Sequence, residues 1–113
     1  MHHDSPETTS QVVEKLRQLF QELHEEDQSK LPLDIANSIK YTTTEGLIST
    51  YQISYDGATF KIEMTEAEIE GFLSGDEYQT EYVNNCMYAI MCDFEDGILF
   101  GTYTYKNEVD LTA

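Results

Sequence analysis

Apolar residues switch from a helical to a strand spacing along this chain, and that switch constrains the fold more than any other feature. From Val12 to Leu23 they recur at three- and four-residue steps (Val12, Val13, Leu16, Leu19, Phe20, Leu23). That spacing makes one buried stripe on an amphipathic helix. From Leu47 to Met64 they recur every second residue. Leu47, Ser49, Tyr51, Ile53 and Tyr55 share one face of a strand, and Phe60, Ile62 and Met64 alternate with Thr59, Lys61 and Glu63 in the next. A helical period followed by a strand period places both element types in one layer pair, an α+β architecture.

Local signals set the boundaries. Ser5-Pro6-Glu7 is a helix start: Ser5 caps, Pro6 suits the first turn, and Glu7 favours the positive dipole end. The predicted helix runs from about Pro6 to Glu26, with Glu14, Gln18, Glu22, Glu25 and Glu26 on its outer side. Its final acids, Glu25-Glu26-Asp27, place negative charge where the dipole is already negative, at about a few tenths of a kcal/mol each. Residues 28–37 read as a connector with one helical turn, and Ile39 to Thr44 as a further strand before Glu45-Gly46. Asp56-Gly57 is a tight-turn signal joining the two alternating segments. Thr65 followed three residues later by Glu68 is a capping box, opening a short helix that buries Ile69, Phe72 and Leu73 and stops at Gly75. Residues 78–94 fit either helix or strand. A hairpin of Cys86–Phe94 with Ile98–Tyr105 around Glu95-Asp96-Gly97 is the favoured expectation, because the stretch is rich in strand formers. The expected fold is therefore a single α+β domain over residues 1–113: a long N-terminal amphipathic helix on an antiparallel sheet of four to five strands, with a short inserted helix. Residues 1–5 and 107–113 are expected to be mobile.

Charge is the second constraint. Among 113 residues there are 22 acids and 6 bases, a net charge of -16. Phosphates would be repelled, which argues against direct nucleic-acid binding, and an anionic membrane surface would repel the chain equally. No apolar run approaches the ~20 residues of a spanning helix. The start Met1-His2-His3-Asp4-Ser5-Pro6 lacks a basic region followed by an apolar one, so a cytoplasmic location is expected.

Motifs for catalysis or metal binding do not emerge. The six glycines show neither a dinucleotide-binding nor a phosphate-loop spacing, and nucleophile-elbow and zinc-protease patterns are lacking. His24 lies among acids near a helix end and reads as a solvated helix residue, and His2 and His3 lie at the terminus. Asp93-Phe94-Glu95-Asp96-Gly97 invites a calcium reading, but its glycine falls one position early for an EF-hand loop and Thr104 stands where the bidentate Glu belongs. Cys86 and Cys92 would be about 20 Å apart on a strand or about 9 Å apart on a helix. Neither spacing permits a bridge, so both read as free thiols in a reducing compartment. No catalytic residue, metal or cofactor is assigned.

What remains is the uneven placement of acids. Residues 1–57 hold 10 acids and 4 bases, and residues 58–113 hold 12 acids and 2 bases. Three clusters stand out in the second half: Glu63, Glu66, Glu68 and Glu70; Asp76, Glu77 and Glu81; and Asp93, Glu95 and Asp96. Crowding of this kind contributes nothing to folding and exceeds what solubility needs. Sixteen charges match roughly 27 Å of duplex DNA, close to the diameter of a domain whose radius of gyration is about 13 Å. The expected function is a small acidic inhibitor or binding protein, with these ten residues as its partner-binding surface. It would dock on the basic surface of a nucleic-acid-processing protein by partial DNA mimicry. In size, acidity and lack of motifs the chain is similar to small phage-encoded anti-restriction and anti-CRISPR inhibitors and to immunity proteins against nuclease toxins, a likeness of type that no motif carries. Two alternatives belong to other classes. One is a small enzyme or ligand-binding domain with a pocket between helix and sheet, lined by Phe20, Phe60, Tyr88 and Phe100. The other is a homodimer or larger assembly whose tyrosine-rich strand edge (Tyr51, Tyr55, Tyr103, Tyr105) pairs with a copy of itself.

Overall fold

The computed structural model describes residues 5–97 and 100–105. The fold is α+β. Helix α1 spans Pro6–Glu26. The Ser5 hydroxyl accepts from the Thr8 amide and caps the helix, and residues 1–4 lie outside the described residues. Val12, Leu16, Phe20 and Leu23 form its buried stripe. Each such side chain, fully buried, stabilises the fold by about 1.5–3 kcal/mol. A connector with a 3-10 turn (Leu33–Ser38) leads into the strands. These are β1 (Lys40–Glu45), β2 (Ile48–Tyr55) and β3 (Ala58–Thr65), an antiparallel meander. Asp56 and Gly57, both at positive φ, form the two-residue turn between β2 and β3, as hairpin twist requires.

Register assigns one sheet face to the core. Ser49, Tyr51, Ile53 and Tyr55 lie opposite Met64, Ile62, Phe60 and Ala58. Of these only Tyr55 is not fully buried. The two alternating segments thus pair as their period indicates, except that Leu47 lies outside the strand and is exposed. The alternate residues of β3, Thr59, Lys61, Glu63 and Thr65, are half-buried on the opposite face.

Two helices follow β3. Helix α2 spans Glu66–Ser74 and has the full capping box: the Thr65 hydroxyl accepts from the Glu68 amide while the Glu68 carboxylate accepts from the Thr65 amide. It ends at Gly75 in the left-handed region. Helix α3 spans Glu77–Glu95 and corrects the hairpin expectation for Cys86–Phe94. Val83, Cys86, Met87, Ile90, Met91 and Phe94 are buried at three- and four-residue steps. The helical period of that stretch prevails over its strand-forming composition, because burial of one continuous stripe outweighs propensity. At 19 residues, α3 is about 28 Å long. It returns the chain to the end where β3 began, so β4 (Gly101–Tyr105) pairs with β3 in parallel, Ala58 opposite Gly101. The sheet is therefore four-stranded, ordered β1-β2-β3-β4, and mixed rather than wholly antiparallel. A parallel neighbour needs a crossover of a dozen residues or more, and α2 with α3 supplies it. Ile98 and Leu99 of the expected last strand, and residues 107–113, lie outside the described residues. No helix among the described residues is long and apolar enough to cross a membrane.

Candidate partner-binding surface

The helices sort the acids by their relation to the backbone dipoles. Glu66 and Glu68 lie in the first turn of α2, and Asp76 and Glu77 open α3, with Asp76 accepting from the Gln79 amide. Negative charge is favourable at these N-termini. Glu68 is 3% exposed and its carboxylate is turned to the Thr65 amide, out of a partner's reach. Glu70 and Glu81 are exposed, and Glu63 sits on the sheet face away from the core side chains of β3. Glu66 and Glu70 are four apart on α2, the repelling spacing expected for them.

The third cluster stands elsewhere. Asp93, Glu95 and Asp96 lie at the C-terminal end of α3, the length of the helix away from Asp76 and Glu77. The ten residues expected to form one surface therefore divide between the two ends of α3, in a molecule 38 Å along its longest axis. Asp93 is partly committed to the fold, accepting a hydrogen bond from the Tyr105 hydroxyl at 3.0 Å. Glu95 accepts from the Ser29 hydroxyl at 2.6 Å.

That last bond brings in the acids whose cost to α1 in the sequence suggests a use for them. Ser29 lies just past the Asp27 cap and Gln28 at the end of α1, so the C-terminal ends of α1 and α3 meet. Glu25, Glu26, Asp27, Glu95 and Asp96 are all exposed at these two ends. Each end carries the negative half of a helix dipole, equivalent to about half an elementary charge. Glu25, Glu26 and Asp27 oppose the dipole of α1, and Glu95 and Asp96 that of α3. The signal available in sequence was the unfavourable run Glu25-Glu26-Asp27; its proximity to Glu95 depends on α3 being a helix.

Between the two ends lies a cleft of about 700 Å³, lined by residues 27–31 of the connector, Tyr55, Tyr88, Phe94 and Glu95. Phe94 is buried and meets Tyr55 edge-on at 5.6 Å between ring centroids. Tyr88 projects from α3 with 47% of its surface exposed. Its hydroxyl is held above the usual tyrosine range by the Cys92 thiol first, then by Asp27, with a smaller contribution from Glu95. Asp27 and Glu95 both line the cleft with Tyr88. Among the described residues, the only base in the lining is the exposed Lys30.

Two of the basic residues are engaged elsewhere. Lys15 donates to the Phe72 carbonyl and lies over the Phe72 ring at 4.8 Å. Arg17 donates to the Ile39 carbonyl at 3.0 Å. Both serve backbone acceptors on neighbouring elements. His24 is half-buried rather than solvated. Its Nε2 lies 2.7 Å from the Leu31 carbonyl, holding the connector against α1 beside the cleft.

The alternative site residues do not converge. Phe20 and Phe60 are buried in the core, Phe100 is exposed beside Gly57, and Tyr88 alone of the four lines the cleft. Of the tyrosines considered for a strand edge, Tyr51 is a core residue and Tyr103 is exposed on β4, stacked on Phe60 at 5.1 Å. Burial raises the Tyr51 and Tyr82 hydroxyls and the Cys86 thiol. Cys86 and Cys92 are free. Among the described residues no three His, Cys, Asp or Glu side chains are grouped so as to hold a metal ion. Comparison of the chain with protein-family models, with curated proteins and with solved structures finds no match.

Proposed function

We propose that the protein is a small acidic binding protein of the inhibitor type, docking on the basic, nucleic-acid-binding surface of a partner protein. One observation carries this reading. The carboxylates at the joined ends of α1 and α3 oppose both helix dipoles, so folding does not account for them, whereas a cationic partner does. Acids at the starts of α2 and α3 have a structural role and are set apart on that ground. With a net charge of -16, the whole molecule would draw a basic partner, raising association rates by about 10- to 1,000-fold at low salt.

Binding of purified nucleases and other nucleic-acid-processing proteins, measured at low and high salt, tests the reading. Association is expected to weaken steeply with salt and to be displaced by duplex DNA competing for the same groove. Failure to bind any such partner at low salt would reject it.

A further inference from the structure

The cleft beside the joined helix ends has more chemistry than charge attraction requires. Resting on the reading above, we infer that it is a slot for an arginine side chain of the partner, the guanidinium lying against the Tyr88 ring between the Asp27 and Glu95 carboxylates. Tyr88 is the exposed aromatic wall, and Tyr55 with Phe94 forms the apolar base. An exposed ring held among carboxylates is a poor arrangement for a solvated surface and a good one for a cation, which gains from the ring quadrupole and from the acids together. The volume of about 700 Å³ admits the side chain with backbone on either side of it.

Arginine fits better than lysine on three counts. Its planar guanidinium stacks on an aromatic face, it is less strongly hydrated than an ammonium, and its forked donors match a carboxylate. The Ser29 hydroxyl holds Glu95 through Oε2, and a carboxylate accepts several hydrogen bonds. The receiving group is thus oriented before the guest arrives, which lowers the ordering cost of binding. Lys30 is the opposing feature: its charge repels a cationic guest, so its removal strengthens binding.

The test uses two capped peptides of equal charge, hexa-arginine and hexa-lysine, titrated into the intact protein at low salt by calorimetry, with tyrosine ring signals followed by NMR. The arginine peptide is expected to bind about three- to tenfold more tightly, as an aromatic–guanidinium contact implies, and to shift the Tyr88 and Tyr55 ring signals. Tyr88→Phe retains the preference, and Tyr88→Leu abolishes it by weakening the arginine peptide more than the lysine peptide. Lys30→Gln tightens the arginine peptide about twofold, in keeping with loss of one exposed like charge. Equal affinity for the two peptides, or a preference that survives Tyr88→Leu, overturns the arginine slot and leaves the electrostatic reading standing. Binding of neither peptide overturns both.

Discussion

Tyr105 on β4 donates its hydroxyl proton to the Asp93 carboxylate on α3 at 3.0 Å, tying the last strand to the helix that delivers it. Burial, then the bond to Asp93, raises the Tyr105 hydroxyl to about 12. The fold thus favours the protonated phenol. Its stabilising share is fully present below the unfolded value of about 10 and is lost as pH rises from there through 12. Tyr51 and Tyr82 are raised too and add to the same loss. Urea melts across alkaline pH should show stability falling above pH ~10. Tyr105→Phe should fall less steeply over that range, at the cost of about 1 kcal/mol near neutrality for the lost hydrogen bond. An identical alkaline slope in the variant would show that the fold does not hold the proton on the Tyr105 hydroxyl.

The capping box at α2 gives a second prediction. Thr65 is both the last residue of β3 and the cap of α2, so one side chain ends the strand and starts the helix. Thr65→Ala removes the hydroxyl that accepts from the Glu68 amide, and should destabilise the protein by about 1 kcal/mol. Thr65→Ser should keep most of that. Denaturant midpoints of the two variants check it, and equal midpoints would show that the box is dispensable.

Legibility in sequence followed the reach of each interaction. The caps at Ser5 and Thr65 and the turn at Asp56-Gly57 involve neighbours within three residues, so the sequence displays them directly. The buried stripe of α1 and the alternation of β3 are similarly local. Helix α3 was not settled, because Tyr, Val, Ile and Cys favour strands while their spacing favours a helix, and only packing against α2 and the sheet decides. The parallel pairing of β4 follows from that decision and was missed with it. For the candidate surface the individual acids were visible, but Ser29 and Glu95 are 66 residues apart, and their meeting is a property of the tertiary structure.

Close approach of α2 and α3 supplies a third prediction. A Cβ at Gly71 would lie 2.6 Å from Cγ of Gln79 and 3.4 Å from Cβ of Asp76. The glycine therefore serves to let the start of α3 pack against α2, and not to relax the backbone. Gly71→Val should lower stability by about 1–3 kcal/mol, the usual range for overpacking, despite removing a glycine from a helix. A thermal melt would read this as a lower midpoint, and an unchanged or higher midpoint would mean that Gln79 moves aside freely.

The last prediction separates a functional excess of charge from a merely solvated surface. Glu25, Glu26 and Asp96 are exposed at the ends of α1 and α3, where each opposes a helix dipole. Neutralising all three (Glu25→Gln, Glu26→Gln, Asp96→Asn) removes repulsions worth about 0.3–1 kcal/mol apiece at low ionic strength. The variant should melt several degrees higher than the parent, since about 1 kcal/mol moves the midpoint of a domain this size by about 4–8 °C. Added salt should shrink the gain, because screening removes what the substitutions remove. Association with hexa-arginine should slow in the same variant. Greater stability with slower association is the combination expected if these acids are kept for a cationic partner. Were the triple variant no more stable at low salt, the helix ends would not be under electrostatic strain, and the argument that singles out this surface would fail.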